Sequence, residues 1–313
     1  MGNQLEKRDS FSNTVLTNFR EALAGAGLPS NCAVVINGSL ARREASDQSD
    51  VDYFVLYEGK VAEDDLQAID AAMARAITAQ GLRPPATHGA FAKPESIDNF
   101  LLNVGGDNDP NHKLTRRMLF MLEGEWLTQR ELFERFRARL IQEVYTRQEL
   151  RDDQLARFFL NDLIRYWRTI GVDFEFKTHE AGKAWGTRNL KLAFSRKLLY
   201  FSGLLMAAET AQRTVDSKIE VLRKLSAMTP IQRIREIFQN DADKALRIYE
   251  EFLERLSDAD FRKESDAVTQ DCEQRPASFQ DLKNRGQHFS WELDRLLRVA
   301  YGPRHPIHHA LVF

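Results

Sequence analysis

The sequence predicts an α+β protein, because its strand-like segments lie in the first third and helical periodicity fills the rest. Residues 32–36 and 52–57 are short apolar runs of the kind that form buried strands. From residue 114 onward, apolar residues recur at helical spacing. We therefore expect a first domain over residues 1–113, a helical domain over 114–300 and an irregular tail over 301–313.

The N-terminal region is predicted to alternate helices and strands. An amphipathic helix over 10–24 ends at a turn with two glycines and a proline. The other expected elements of this region are a strand over 32–36, a short helix over 40–44, a strand over 52–57 and a helix over 63–79. Prolines interrupt residues 83–104, where 89–92 are a candidate strand, and 105–110 read as a loop.

The remainder reads as a series of helices without repeats or low-complexity linkers. The predicted helices are 114–122, 129–147, 152–170, 186–211, 216–227, 230–238, 241–257 and 278–299. The tail after residue 300 contains two prolines among its histidines, which predicts irregular structure.

Composition limits the kinds of partner and compartment. The 313 residues carry a net charge of −2, so any contact with nucleic acid must come from a local basic patch. Cys32 and Cys272 lack metal-ligand spacing; a disulfide is possible, and two free thiols fit a reducing compartment better. The polar N-terminus and the lack of an 18-residue apolar run predict a cytoplasmic protein without a membrane partner.

Gly38-Ser39 follows the first predicted strand and opens a short helix. Such a turn presents backbone N–H groups and a hydroxyl to an anion, and a glycine lets the chain approach a phosphate closely. An ordinary strand exit has the same sequence pattern, so the turn alone is not specific.

Asp50 and Asp52 precede the second apolar run. Residues two apart in a strand point to the same side, so both carboxylates are expected to face one place. Two such charges favour a bound cation, and Mg²⁺ prefers carboxylate and triphosphate oxygens. The alternative is two solvated acids at the start of a strand.

Gly38, Ser39, Asp50 and Asp52 together resemble the signature of the nucleotidyltransferase superfamily that includes DNA polymerase β. Ser49-Asp50-Val51-Asp52 has the family's common form, and the resemblance covers roughly residues 30–113. It implies a small mixed-sheet nucleotidyltransferase core, the catalytic domain, followed by a helical bundle, with the nucleotide between the two domains. It also implies that Asp50 and Asp52 bind Mg²⁺ or Mn²⁺ and, with Ser39, act in catalysis.

The resemblance further implies a nucleoside triphosphate substrate and a hydroxyl acceptor on a protein side chain, a nucleotide or an oligonucleotide. Gly38, Ser39, Arg42 and Lys191 are the candidate nucleotide-binding residues. Arg42 lies about one turn after Ser39, and a surface arginine is the alternative. Lys191 belongs to a basic group with Arg188 and Lys197, for which a solvated helix face is the alternative.

The family usually has a third carboxylate on a later strand, and here Glu95, Asp98 and Glu123 are its candidates. Residues 115–119 and 131–136 resemble the uridylyltransferase-like branch of the superfamily. Bacterial relatives of this kind include regulators of nitrogen metabolism, toxins and phage-defence signal synthases, so signalling or phage defence is the implied setting.

The main hypothesis from the sequence is a metal-dependent nucleotidyltransferase that releases pyrophosphate. The unassigned third carboxylate motivates a second hypothesis, a degenerate member that binds a nucleotide or a partner protein without transfer. A helical interaction module with a vestigial first domain is the third.

Overall fold

The computed structural model describes residues 4–85, 93–146 and 150–311. The strands are β1 (Cys32–Ile36), β2 (Tyr53–Tyr57), β3 (Glu95–Ser96) and β4 (Glu125–Trp126). The helices that accompany them are α1 (Gln4–Ala24), α2 (Gly38–Ala41), α3 (Glu63–Ala79), α4 (Ile97–Leu101), α5 (Asn111–Leu122) and α6 (Arg130–Arg139), the last continued by a π-helical segment over Leu140–Tyr145. The mixed α+β class predicted from the sequence is confirmed.

The later part of the described chain is helical. Its helices are α7 (Arg157–His179), α8 (Trp185–Lys191), α9 (Lys197–Ala208), α10 (Val215–Ser226), α11 (Pro230–Phe238), α12 (Asp243–Ser257), α13 (Ala259–Ala267), α14 (Ala277–Ala300) and α15 (Pro306–Ala310). A π-helical segment, Leu192–Arg196, joins α8 to α9, so the helix predicted over 186–211 is interrupted by one wider turn.

The sheet has the strand order β3-β2-β1-β4 and is mixed, as expected. β1 pairs antiparallel with β2, with Cys32 opposite Tyr57 and Ile36 opposite Tyr53. β4 also pairs antiparallel with β1, whereas β3 runs parallel to β2. The end of β1 and the starts of β2 and β4 therefore meet at one end of the sheet.

The two faces of the sheet are covered by different groups. Cys32, Val34 and Ile36 of β1 belong to a buried apolar core with residues of α1 and α3. On the opposite face Phe54 lies 6.5 Å from Phe100 and 6.4 Å from Phe120, measured between ring centroids. Burial on both faces explains why β1 is a continuous apolar run without polar alternation.

The chain forms two compact units, of which the first comprises Met1–Arg151 and Val215–Thr229. This unit runs past residue 113, where the sequence predicts the end of the first domain. The physical reason is pairing and packing from the following segment: Glu125 pairs with Ile36, and the Phe120 ring packs on Phe54. Helix α10 also belongs to this unit and packs against the π-helical segment that follows α6.

The second unit comprises Asp152–Thr214 and Pro230–Phe313, and its described part is helical. Stacked rings contribute to its core: the Phe194 and Phe252 centroids are 4.4 Å apart and nearly parallel. Phe289 stacks on Phe194 at 5.5 Å. Such large, buried aromatic side chains supply much of the apolar area that holds helices together.

Several sequence predictions differ from the observed elements. Helix α7 extends to His179 rather than 170, and α13 was not predicted. The tail, predicted to be irregular, contains α15, because Pro306 suits the first turn of a helix and His305 caps it. The candidate strand at 89–92 lies outside the described residues.

Within the described ranges, no helix combines the length and apolar character that crossing a membrane requires.

Candidate active site

The turn between β1 and α2 brings Gly38 against Asp52. Gly38 has φ +72°, a left-handed conformation that glycine adopts without strain. A Cβ atom placed on Gly38 would lie 3.1 Å from Asp52 Oδ2. The N–H of Asn37 donates to the Asp52 carbonyl oxygen at 2.8 Å, which fixes the two segments together. The predicted phosphate turn and one predicted metal ligand are therefore neighbours in the structure.

Asp50 and Asp52 lie just before β2, on either side of Val51. Val51 is completely buried in the core with α1 and α3, whereas Asp50 is exposed and Asp52 is partly exposed. The Val51 N–H donates to the Arg83 carbonyl oxygen at 3.0 Å and holds this extended segment in place. Because alternate residues of extended chain point to opposite sides, both carboxylates point away from that core.

Asp50 and Ser39 each have an oxygen group that is available to a ligand. The exposed carboxylate of Asp50 makes no ion pair or side-chain hydrogen bond within the described part of the chain. The half-buried hydroxyl of Ser39 likewise makes no hydrogen bond to the described residues. A hydroxyl and a carboxylate in this setting suit a phosphate oxygen and a cation respectively.

Glu123 contacts the same turn from the other side. Its Oε1 accepts a hydrogen bond from the Gly38 N–H at 2.8 Å, and its Oε2 pairs with Arg42 Nη1 at 2.7 Å. Arg42 also pairs with Glu44 through Nε at 2.8 Å. Both glutamate side chains are at most 2% exposed, so Arg42 neutralises two buried carboxylates. In this arrangement Arg42 stabilises the turn, and one backbone N–H predicted for phosphate is bonded to Glu123.

The position of Glu123 depends on the turn between α5 and β4. Gly124 follows immediately, and its Cα packs so tightly that a Cβ would lie 2.8 Å from the Phe120 carbonyl oxygen. Arg137 of α6 donates to the carbonyl oxygens of Phe120 and Gly124. Complete burial lowers the pKa of Arg137 to about 10, and the guanidinium spans the turn that presents Glu123.

The three candidates for a third carboxylate differ in their surroundings. Glu95 starts β3 opposite Leu56, four residues along β2 from Asp52, which corresponds to roughly 13 Å at 3.3 Å per residue. Its carboxylate accepts from Asn99 and pairs with Arg116. Asp98 is exposed and pairs with Arg139. Of the three, Glu123 is the one in contact with the Gly38 turn.

Lys191 lies in the second unit, at the C-terminal end of α8, where its side chain is exposed. Arg188 precedes it on the same helix, and Lys197 begins α9. Burial lowers the pKa of Lys197, whose Nζ donates to Ser290 Oγ at 2.5 Å. The residues that the structure brings together at the turn are thus Gly38, Ser39, Arg42 and Asp52, all in the first unit.

The donor set suits a hard divalent cation shared with a substrate. Within the described ranges, no group of three or more histidine, cysteine or acidic side chains forms a metal site. Asp50 and Asp52 offer carboxylate oxygens on the side of the chain that faces away from the α1 and α3 core. Mg²⁺ is commonly held by one or two carboxylates together with substrate phosphates, which matches two acids and a phosphate turn.

Three residues of this site were not identified from the sequence. Glu44 is buried against Arg42, and Arg8 of α1 donates to the Glu44 carbonyl oxygen. Asn37, which precedes the turn, is 2% exposed. Nothing in the local pattern indicates that these polar residues are buried, although an arginine and a glutamate two positions apart beside the turn were visible in the sequence.

No protein-family model matches the sequence, and comparison with curated proteins finds no match.

Proposed function

We propose that this protein is a metal-dependent nucleotidyltransferase, acting on a nucleoside triphosphate and a hydroxyl acceptor. The observation that carries the proposal is the contact between Gly38 and Asp52, because it joins a phosphate-type turn to a metal-type carboxylate across fourteen residues of sequence. Neither pattern alone is specific. Their contact supports one site for a triphosphate and a cation.

Each residue has a chemical role in the proposed reaction. Asp50 and Asp52 would hold Mg²⁺ or Mn²⁺, which would neutralise charge on the triphosphate and on the leaving pyrophosphate. Ser39 donates its hydroxyl to a phosphate oxygen, and the glycine at position 38 allows the close approach. The acceptor oxygen bonds to the α-phosphorus as the α–β phosphoanhydride bond breaks; pyrophosphate leaves and the hydroxyl proton is released to solvent.

The test is release of pyrophosphate from each of the common NTPs and dNTPs in the presence of Mg²⁺ or Mn²⁺. We expect release by the wild type and its loss in Asp50→Asn and Asp52→Asn, which keep side-chain shape and remove charge. Asp294→Asn is the matched control, because Asp294 is exposed and pairs with Arg298 on its own helix. Release that survives in the Asp52→Asn protein contradicts the proposal.

Mass spectrometry of the products and of the protein itself identifies the acceptor class. A mass increase of one nucleotide on the protein indicates a side-chain acceptor. Free oligonucleotides or dinucleotides indicate a nucleotide acceptor. An extended RNA or DNA added to the reaction indicates an oligonucleotide acceptor.

A second candidate is a nucleotide-binding regulatory protein that performs no transfer. The bond from the Gly38 N–H to Glu123 favours it, since this carboxylate lies where a phosphate oxygen would be received. Saturable nucleotide binding without pyrophosphate release, for any of the nucleotides and either metal, distinguishes this candidate from the enzyme.

A further inference from the structure

Asn37 is a buried amide without a hydrogen-bond partner among the residues that the structure describes. Its side chain is almost fully buried, and neither Oδ1 nor Nδ2 bonds to any described residue. Buried side-chain amides are nearly always satisfied, because removing them from water without replacement bonds is unfavourable. The partner that Asn37 lacks is therefore an enclosed water, or a ligand group that the amide meets when its side chain turns.

The Asn37 side chain also forms no capping hydrogen bond with the helix that follows it. Asn37 is the N-cap residue of α2, with φ −133° and ψ −169°, a position where asparagine commonly accepts from an N–H of the first turn. No such hydrogen bond forms here. The residue type suits a cap, yet its amide does not act as one.

The strand register places Asn37 on the same face as Asp52. β1 pairs with β2 through Ile36 opposite Tyr53, and the Asn37 N–H continues this ladder to the Asp52 carbonyl oxygen at 2.8 Å. Directly opposed residues of an antiparallel pair have Cβ atoms about 4.5–5.5 Å apart. Because Ile36 lies in the core with α1 and α3, its neighbour Asn37 points to the opposite face.

We propose that Asn37 is a substrate-binding residue. Its side chain, which is covered in this structure, turns toward the Asp52 carboxylate when a nucleoside triphosphate binds, and its Nδ2 then donates to a polyphosphate oxygen. The amide offers one donor group and one acceptor group beside an anionic carboxylate and a phosphate-type turn. Its donor suits a phosphate oxygen, and its acceptor suits a hydroxyl or a cation-bound water at the same site. This inference rests on the proposed function, since it names a contact within that site.

The experiment compares Asn37→Leu with Asn31→Leu, because leucine matches the shape of asparagine without its polar atoms. Asn31 lies just before β1 and is fully engaged: its Nδ2 donates to the carbonyl oxygens of Glu58 and Lys60 at 3.0 and 3.1 Å. Calorimetry with Mg²⁺ and α,β-methylene analogues of the common NTPs gives Kd without turnover. Melting temperature without nucleotide reports the cost of each change to the fold.

We expect N37L to weaken binding by about 10-fold or more, the loss of one hydrogen bond to a charged group, with an unchanged or raised melting temperature. N31L should lower the melting temperature and leave Kd unchanged. If N37L binds the analogues as tightly as the wild type does, the inference is overturned. If N37L also has a lowered melting temperature in that case, the partner of Asn37 is an internal water. If the wild type binds none of the analogues, the proposed function itself is contradicted. That result differs from one in which the wild type binds and N37L binds equally well, which contradicts the role of Asn37 alone.

Discussion

Gly38 lies against the side chain of Asp52, which comes fourteen positions later in the sequence. The glycine has φ +72°, and a methyl group at its Cα would lie 3.1 Å from Asp52 Oδ2. Both the left-handed conformation and the close approach of the carboxylate favour glycine at this position. The strand ladder between β1 and β2 creates the relationship, because it sets residue 37 opposite residue 52.

Gly38→Ala should lower the free energy of unfolding and weaken nucleotide binding. The left-handed conformation costs a residue with a Cβ about 1–2 kcal/mol, and the new methyl group also displaces the Asp52 carboxylate. Gly59→Ala is the control, since Gly59 has φ +68° and nothing lies within 4 Å of its added Cβ. Chemical denaturation and nucleotide titration of both variants measure the difference. Equal effects of the two substitutions would show that the Asp52 contact is unimportant.

Arg42→Ala should destabilise the protein more than removal of an ordinary surface arginine. The substitution leaves Glu44 and Glu123 buried without the guanidinium that pairs with both. Breaking a buried ion pair typically lowers the free energy of unfolding by about 3–5 kcal/mol. Arg135→Ala is the control, because Arg135 and its partner Glu58 are both exposed, and such pairs contribute about 0–1 kcal/mol. The measurement is urea unfolding at neutral pH. If Arg42→Ala lowers the free energy of unfolding no more than Arg135→Ala does, Arg42 does not stabilise the turn by pairing with the two glutamates.

Protonation of His305 should loosen α15. Its Nδ1 accepts a hydrogen bond from the Ile307 N–H at 3.2 Å, which the protonated ring is unable to do. Burial, with a smaller effect of His308, lowers the pKa of His305 below 6.5. The folded state therefore disfavours the proton, so this stabilisation is present above pH 6.5 and is lost as the pH falls through the folded-state pKa.

Hydrogen exchange at the Ile307 amide, corrected for the intrinsic rate, measures this effect between pH 8 and pH 5. We expect protection to fall toward pH 5 in the wild type. His305→Asn is the matched control, because asparagine caps a helix without titrating in this range. A pH-dependent loss of the same size in that variant would mean that another group controls α15.

Cys32 should react far more slowly with iodoacetamide than Cys272 does. Both cysteines are free thiols, as the sequence predicted. Burial raises the pKa of Cys32 to about 11, and its side chain is 1% exposed, whereas Cys272 is partly exposed. Since the thiolate is the reactive form, we expect a difference of at least about 100-fold at pH 8. Peptide mapping over time measures both labelling rates. In the Cys272→Ser variant the slow reaction of Cys32 should be the one that remains. Rapid labelling of Cys32 in that folded variant would contradict the prediction.

Local sequence patterns were sufficient for the elements with strong signals. β1 has the predicted bounds, and α3 matches its predicted range, because β-branched runs and helical periodicity are properties of adjacent residues. The two-residue strands β3 and β4 were not predicted, since so short a segment has no periodicity. β4 exists because residues 125–126 pair with a strand about ninety positions earlier.

The sequence alone was enough to predict the α+β class, the turn at Gly38-Ser39 and the shared direction of the Asp50 and Asp52 carboxylates. These follow from local chemistry: backbone freedom at a glycine and the two-residue period of extended chain. The folded structure was needed to show that Arg42 is bound between Glu44 and Glu123. It was also needed to show that Asn37 is buried beside Asp52 with no hydrogen-bond partner among the described residues. These relationships depend on strand register and on a carboxylate eighty-one positions away from Arg42. No local sequence pattern indicates which distant group will neutralise a buried charge or form a hydrogen bond with a buried amide.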